Sequence, residues 1–236
     1  MILARIESVQ VGRPQRYAAE GDAVKPWTSA IRKQPVQGSV AVGRTNLAGD
    51  EQADLKHHGG PDKAILAYAA QHFDAWNREF PDHAFAAGSF GENLTLAGCS
   101  EADCCIGDIV RIGDCQLQIS QPRQPCWKLS RLRGLPNLAL RVQQTGRTGW
   151  YLRVLQEGTI EAGLPVELLE RPFPEFTVAW ASTVMYSKPR VPENDRRLAA
   201  CEALCASWKS TLNNRAHADY QSTEQQRLYG RSSEID

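Results

Sequence analysis

The chain has 236 residues, of which 42% are hydrophobic and 23% are charged, an ordinary balance for a globular protein. Its 27 basic and 27 acidic residues give a formal net charge of zero, so the chain lacks the overall basic field of a nucleic-acid binder. No apolar run approaches the ~18 residues that cross a bilayer, and the N-terminus lacks the layout of a signal peptide. We therefore expect a soluble, cytoplasmic protein with neither a membrane nor a nucleic acid as partner.

The first two thirds of the chain predict a β-rich fold. Short apolar runs alternate with Gly, Pro, Asp and Asn residues, which is typical of strands separated by turns. The runs are Leu3–Val11, Ser39–Val42, Ala64–Tyr68, Asn93–Leu96, Asp108–Ile112 and Gln116–Ser120. The last two flank Gly113-Asp114, a pair typical of a tight hairpin turn. Many short strands of this kind favour a closed or sandwich-like β architecture.

Two helices are predicted within this β-rich part. Ala69–Phe80 places three aromatic residues at helical spacing, so that they share one face. Pro136–Thr145 is apolar at helical steps and is followed by Gly146, a residue that often ends helices.

Beyond Pro172 and Pro174 the pattern becomes helical, and these prolines mark a domain boundary. Three further helices are predicted, at Thr177–Met185, Asp195–Lys209 and Ala218–Leu228. The sequence therefore predicts a larger β domain over residues 1–170 and a small three-helix domain over residues 175–230.

Cys126 lies in the stretch SQPRQPCWK, where prolines alternate with cations. Pro122 and Pro125 disfavour an ordinary helix or a central strand, so we predict a stiff loop after the preceding strand. A thiol on a rigid loop beside Arg123 and Lys128 is a candidate thiolate, and thiolates are nucleophiles and ligands of soft metals. The alternative is a small buried apolar residue, the commonest role of a free cysteine.

The other cysteines do not form a recognisable framework. Seven is an odd number, and a chain without an export signal is not expected to form disulfides. No Cys-x-x-Cys motif occurs, so the spacings do not favour a structural zinc site.

Charge is segregated around Cys126. No acidic residue occurs between Asp114 and Glu157. The basic residues in this interval are Arg123, Lys128, Arg131, Arg133, Arg141, Arg147 and Arg153. One interpretation is a site for an anionic ligand such as a phosphate. The other is a basic face that pairs with acids elsewhere in the fold, for instance within residues 50–62.

Two glycine-containing motifs are further candidates for the site. Gly59 and Gly60 allow a ligand to approach the backbone closely, and His58 before them could bond a ligand or a metal, or simply a turn. In the motif FGENL, Glu92 or Asn93 could bond a ligand or fix the turn before the next strand.

Together these motifs resemble the MOSC family, the domains related to the C-terminal part of molybdenum-cofactor sulfurase. HGGPDKA from His58, FGENL from Phe90 and QPRQPC up to Cys126 follow one another in the family's order and spacing. GRTGWYLR from Gly146 resembles a later signature of the family, and the resemblance covers residues 29–169. The helical tail resembles the three-helix domain of bacterial members linked to resistance to 6-N-hydroxylaminopurine.

The resemblance implies a mainly β fold with helices, in which a β-barrel-like MOSC domain precedes the three-helix domain. It implies that this fold binds molybdenum cofactor (molybdopterin), with Cys126 as the ligand of the metal. Lys33, His58 and Cys126 match a family triad at the pocket, and they are the predicted catalytic residues. His57 precedes His58, but the spacing to Gly59 favours His58 as the residue that faces the pocket.

The same resemblance assigns residues to cofactor binding. Basic side chains, with Lys33, would hold the phosphate of the pterin, while the two glycine-containing motifs would contribute further contacts. The predicted cofactor-binding residues are Arg123, Arg147, Arg153, Gly59, Gly60 and Asn93.

The implied activity is that of a molybdenum-cofactor-dependent oxidoreductase. Such an enzyme would reduce N-hydroxylated compounds such as 6-N-hydroxylaminopurine to amines, which detoxifies base analogues. A separate flavoprotein reductase would deliver electrons, because no nucleotide-binding glycine fingerprint occurs. The tail could dock this donor or serve stability, and a homodimer is compatible with the sequence.

Two other functions are kept open. A carrier would bind the cofactor, or sulfur for it, without turnover of its own. A cysteine hydrolase would use Cys126 and His58, but the sequence shows no third residue to orient the histidine, and Pro125 stands where such enzymes usually begin a helix.

Overall fold

The structure is a computed structural model that describes residues 1–18, 26–55, 58–217 and 219–230. Its strands are β1 (Ile2–Val11), β2 (Gln15–Tyr17), β3 (Trp27–Ser29), β4 (Gln34–Pro35), β5 (Val40–Val42), β6 (Ile65–Ala69), β7 (Leu94–Ala97), β8 (Ile109–Ile112), β9 (Cys115–Pro122), β10 (Trp150–Gln156), β11 (Gly158–Ile160) and β12 (Pro165–Glu170). Its helices are α1 (His72–Glu79), α2 (Trp127–Arg133), α3 (Leu138–Thr145), α4 (Val178–Tyr186), α5 (Pro192–Ala199), α6 (Ala206–Asn214) and α7 (Glu224–Tyr229).

Seven strands form a closed barrel. They follow one another in the order β12, β8, β9, β10, β6, β7 and β1, and the pairing of β1 with β12 closes the sheet. Only β6 and β7 run parallel; the other neighbours are antiparallel. Closure leaves none of these seven strands with a free edge, which removes the aggregation hazard of an open sheet. The predicted barrel-like, mainly β fold class is confirmed.

The barrel follows from alternating side chains along its strands. In β9, Cys115, Leu117 and Ile119 are buried, whereas the glutamines between them are half-buried. This is the period of two that places successive side chains on opposite faces of a sheet. The predicted hairpin is confirmed, because Ile112 of β8 pairs with Cys115 of β9 across the Gly-Asp turn.

Around Cys126 the structure differs from the predicted loop. Strand β9, which has neighbours on both sides, continues to Pro122, and α2 begins directly after Cys126. Only residues 123–126 are irregular. Pro122 is tolerated because it is the last residue of its strand, and Pro125 because it precedes the helix, where no helical hydrogen bond is lost. The expectation that no helix begins at Cys126 was therefore wrong.

The tail is helical, as predicted, but its helices are divided differently. Thr177 caps α4 by accepting a hydrogen bond from the N–H of Trp180 at 3.0 Å. The predicted helix Asp195–Lys209 is two helices, α5 and α6. The chain leaves the helical path between them, and the N–H of Cys205 donates to the carbonyl of Ser120 in β9 at 3.1 Å. The described part of the tail therefore holds four helices instead of three.

Barrel and tail share one hydrophobic core. Val178 of α4, Leu198 of α5 and Trp208 of α6 belong to the same buried cluster as the barrel interior. A second, aromatic cluster beside the barrel includes Tyr68 and Trp76, together with Leu129 of α2 and Leu138 and Val142 of α3. The boundary between residues 170 and 175 stays a prediction.

Within the described ranges, no helix combines the length and apolarity required to span a membrane.

Candidate functional site

A pocket lies where several loops meet beside the barrel. It is lined by the chain around Lys33, the loop Asp50–Asp54, His58, the FGENL motif and the segment between β9 and α2. The space within it is about 660 Å³, including the open mouth.

Cys126 and His58 face each other in this pocket. The Sγ atom of Cys126 lies 3.6 Å from Nε2 of His58. The other ring nitrogen of His58 lies 3.6 Å from a carboxylate oxygen of Asp54. Asp54 is thus a third group beside the histidine, one that the sequence alone did not indicate.

The surroundings of Cys126 favour the thiolate. Burial raises the pKa of the thiol, but a hydrogen bond and charge from His58, the charge of Arg123 and the N–H of Lys128 outweigh it. The result is a pKa of about 7 instead of the ordinary 9.0. A large fraction of the Cys126 side chain is therefore ionised at neutral pH.

The remaining cysteines have a different character. All seven cysteines are free thiols, and the six others are buried. Burial or neighbouring groups raise the pKa of five of them. These five are Cys104, Cys105, Cys115, Cys201 and Cys205. Among the described residues, no group of three or more His, Cys, Asp or Glu side chains could hold a metal ion by itself.

Lys33 lies in the pocket as half of a buried ion pair. Its Nζ bonds Oδ1 of Asp50, and the two side chains are only 7% and 1% exposed. Asp50 also accepts hydrogen bonds from the N–H of Gly12 at 2.7 Å and from Nδ2 of Asn93 at 2.9 Å. A buried charge is costly unless it is paired and bonded, and these contacts supply both. The position of the Lys33 ammonium group is therefore fixed.

The FGENL motif supports the pocket through its turn. Asn93 lines the pocket, but its side chain also accepts from the N–H of Leu66 at 3.0 Å and donates to Asp50. Glu92 accepts from the N–H groups of Gly88 and Phe90 at 2.6 and 2.9 Å. Of the two interpretations of Glu92, these contacts favour fixation of the turn.

Arg123 is the predicted cofactor-binding arginine that reaches the pocket. The residue is 5% exposed, and its backbone N–H donates to the carbonyl of Gly149 at 3.0 Å. Its Nη1 atom is buried without a hydrogen-bond partner among the described residues. A buried guanidinium with a spare donor suits an anionic ligand.

Arg147 and Arg153 do not line the pocket. Arg147 bonds Glu79 at 2.9 Å and lies over the ring of Trp76 at 3.8 Å. Arg153 bonds Asp62 at 2.9 Å, together with Gln118 and a carbonyl of the tail. The structure thus places these two predicted cofactor-binding residues in contacts away from Cys126.

Most other cations of the acid-free interval are likewise engaged elsewhere. Arg141 pairs with Glu79, and Arg131 and Arg133 lie over aromatic rings. Lys128 does line the pocket, and it donates to the carbonyl of Thr28 at 3.1 Å. The interpretation as a basic face that pairs with acids elsewhere in the fold therefore applies to Arg141, Arg147 and Arg153. Arg123 and Lys128 line the pocket, so the interpretation as an anion site stays a prediction for these two residues.

The glycine pair lies beside the pocket without lining it. Gly60 has a φ of 93°, a backbone conformation that favours glycine. It directly precedes the short 3-10 turn Pro61–Lys63. A Cβ at Gly59 would lie 3.1 Å from a side-chain carbon of Leu55, so this position is tightly packed. His57 lies outside the described residues.

The fold agrees with the family resemblance, and comparison with known proteins gives the same class. A model of the MOSC domain matches residues 54–167. The chain belongs to the MOSC domain family.

Within this family, the chain is similar to proteins called YiiM. It is 38% identical to protein YiiM of Escherichia coli (strain K12) over 225 residues, which are 94% of this chain and 97% of that protein. The crystal structure of YiiM from Geobacillus stearothermophilus superposes with a TM-score of 0.76 at 39% identity, and the match covers 91% of this chain and all of that one. A protein named reductase from Gibberella moniliformis is 39% identical over 173 residues, 72% of this chain but 30% of the fungal protein.

Proposed function

We propose that this pocket binds molybdenum cofactor through Cys126 and reduces N-hydroxylated compounds such as 6-N-hydroxylaminopurine to amines. One observation carries the proposal. The cysteine with the lowered pKa faces the pocket together with Arg123, whose buried Nη1 has no partner among the described residues.

These residues fit the cofactor chemically. A thiolate is a soft ligand that suits a metal such as molybdenum, and a lowered pKa makes the thiolate available at neutral pH. The spare donor of Arg123 suits a phosphate oxygen, as charge-assisted hydrogen bonds from arginine commonly do. Lys33 adds a fixed ammonium group near the same ligand. Arg147 and Arg153 are left out of this set because they do not line the pocket.

The reaction requires two electrons and two protons. Reduction of an N–OH group breaks the N–O bond and yields an amine and water, and the bound cofactor supplies the redox chemistry that amino-acid side chains lack. His58 is placed to deliver a proton, since its Nε2 faces the pocket thiol and its Nδ1 lies near Asp54. Arg123 would hold negative charge in place during the reaction, whereas the charge of Lys33 is balanced by Asp50.

Electrons come from another protein in this proposal. The fungal relative that bears the name reductase supports an oxidoreductase, and this chain spans only 30% of it. No glycine fingerprint for a nucleotide occurs in the sequence, so we propose a separate flavoprotein reductase as the donor. Seven free thiols suit the reducing cytoplasm as the setting.

Turnover by the isolated protein tests this proposal. Protein made in a host that synthesises the cofactor is supplied with a chemically reduced dye and 6-N-hydroxylaminopurine, and the amine is measured by chromatography. Wild-type protein and the control Cys201→Ala, which removes a buried thiol of the tail, should form the amine, whereas Cys126→Ala should not. Equal activity of Cys126→Ala would refute the role of the thiolate. Molybdenum bound without any turnover would identify a carrier instead.

A further inference from the structure

The C-terminal helix α7 contacts the segment that carries the pocket cysteine. Arg227 of α7 donates through Nη1 to the carbonyl oxygen of Pro125, the residue directly before Cys126. Its Nη2 donates to Oε1 of Gln143 in α3 at 2.5 Å. The Arg227 guanidinium group therefore links the pocket segment to α3 and α7, two helices that are far from each other in the sequence.

The guanidinium group is itself held in place. Gln143 donates through Nε2 to Glu224, on the same helix as Arg227, at 2.6 Å. The Arg227 guanidinium carbon also lies 5.5 Å from the ring centre of Tyr186 in α4. A planar group with two bonds in different directions and an aromatic ring against it has little freedom to move. The hydrogen bond from Arg227 to Pro125 is therefore held in one geometry, unlike a bond made by a mobile surface side chain.

The pocket segment needs such support because its own backbone offers few bonds. Neither Pro122 nor Pro125 has an N–H group, so the segment between β9 and α2 has fewer donors than an ordinary loop. Arg123 is anchored through its N–H to the carbonyl of Gly149. On the other side of the segment, the carbonyl of Pro125 is anchored by Arg227.

The chain at the end of α7 also lies close to the pocket segment, next to Trp127. A Cβ built on Gly230, which follows α7, would lie 3.6 Å from the ring of Trp127. Trp127 is the first residue of α2 and the neighbour of Cys126 on its other side. Arg227 of α7 therefore bonds the residue before the cysteine, and Gly230 lies beside the residue after it, although neither Arg227 nor Gly230 lines the pocket.

We infer that Arg227 is a positioning residue, which holds Cys126 in its place opposite His58 by fixing the carbonyl of Pro125. The inference rests on the proposed function only where it concerns cofactor binding. The geometry of the thiol is a property of the protein without cofactor. The tail thereby contributes to the pocket through its last helix, in addition to the packing of α4, α5 and α6 on the barrel.

Hydrogen–deuterium exchange of the cofactor-free full chain tests the positioning role. Arg227→Met removes both bonds and keeps much of the apolar stem. Exchange should become at least about tenfold faster in peptides that cover residues 123–130, while the barrel strands exchange as in wild type. Arg190→Met is the matched control, because Arg190 is an exposed arginine of the tail whose side chain lies over Tyr220. It should leave residues 123–130 unchanged.

A conservative variant and a second readout complete the test. Arg227→Lys can restore one of the two bonds, so its exchange in residues 123–130 should lie between those of wild type and Arg227→Met, and this variant keeps the test valid if Arg227→Met does not fold. The molybdenum content of protein from a cofactor-producing host should be highest in wild type, lower in Arg227→Lys and lowest in Arg227→Met. Unchanged exchange in residues 123–130 in both Arg227 variants would overturn the inference. Faster exchange with no molybdenum in wild-type protein would refute the proposed function and leave the positioning role intact.

Discussion

At the scale of single residues, the character of Cys126 results from opposing effects of its surroundings. Burial alone would raise the pKa of the thiol, as it does for Cys201 and Cys205. For Cys126, the contact with His58 at 3.6 Å and the charge of Arg123 outweigh burial, so its pKa is lowered instead. The sequence indicated the cysteine and its neighbouring cation, because both stand in one short motif without acids.

The lowered pKa of Cys126 predicts how the reactivity of its thiol changes with pH. In cofactor-free protein, the rate of alkylation by iodoacetamide should rise with pH through a midpoint of about 7, since the thiolate is the reacting form. A thiol with the ordinary pKa of 9.0 would be ionised to only about one part in a hundred at pH 7. His58→Gln removes the main favourable partner and should move the midpoint upward, toward the ordinary value of 9.0. Mass spectrometry of the peptide with Cys126 gives the rates, and equal midpoints in both proteins would contradict the account.

Asp50 shows what residue-level patterns cannot predict. Lys33 was indicated by its motif, but nothing in the sequence near Asp50 distinguishes it from other acids of the loop. Its role follows from contacts with Lys33 and Asn93, which are 17 and 43 positions away. Long-range pairing of this kind is a property of the folded chain, so the sequence alone offered only a general expectation of acids near the basic residues.

At the scale of elements, local alternation predicted six of the twelve strands that the structure describes, namely β1, β5, β6, β7, β8 and β9, but missed β10 and β12 of the barrel. Contacts between elements decided the rest. The hairpin of β8 and β9 could be predicted because its alternation and its turn are local. The division between α5 and α6 could not, because Leu198, Cys201, Leu204 and Trp208 keep helical spacing across it. At this point the N–H of Cys205 donates to the carbonyl of Ser120 in β9, and a pattern of nearby residues cannot predict such a long-range bond.

Gly149 is an element-scale feature that supports the pocket. It has a φ of 72°, and a Cβ there would lie 2.3 Å from the carbonyl oxygen of Ala67 in β6. Gly134, at the end of α2, has a φ of 65° but nothing within 4 Å of a built Cβ. Gly134→Ala should therefore cost about 1–2 kcal/mol of unfolding free energy from backbone strain alone. Gly149→Ala should cost about 3 kcal/mol or more, because the clash adds to the strain.

Denaturant unfolding of the two glycine variants measures this difference. Since the carbonyl of Gly149 accepts from the N–H of Arg123, the more harmful variant should also disturb the pocket. Equal losses of unfolding free energy in the two variants would show that β6 and β10 adjust to the added methyl group.

At the scale of the whole molecule, the tail and the barrel are joined by a shared core. Trp208 of α6 is 1% exposed and belongs to the cluster that fills the barrel. Similarity to YiiM of Escherichia coli over 94% of the chain includes the tail, so the family relationship also concerns both parts. The tail is therefore expected to unfold together with the barrel.

Trp208→Ala tests this coupling. The substitution should lower the free energy of unfolding by about 3–5 kcal/mol, as expected for a large buried aromatic side chain. Helical and β signals in circular dichroism should shift together along the denaturant axis, because both depend on the shared core. A helical transition that separates from the β transition would instead show a tail that unfolds by itself, as two independent domains would.

The most direct test of the central claim is the molybdenum content of purified protein. Wild-type protein from a cofactor-producing host, isolated without oxygen, should carry about one molybdenum per chain, since a single thiolate provides the metal ligand. A fluorescent pterin should accompany the metal. Cys126→Ala should carry almost none, while Cys201→Ala should match wild type. Full molybdenum content in Cys126→Ala, or none in wild-type protein, would contradict the account.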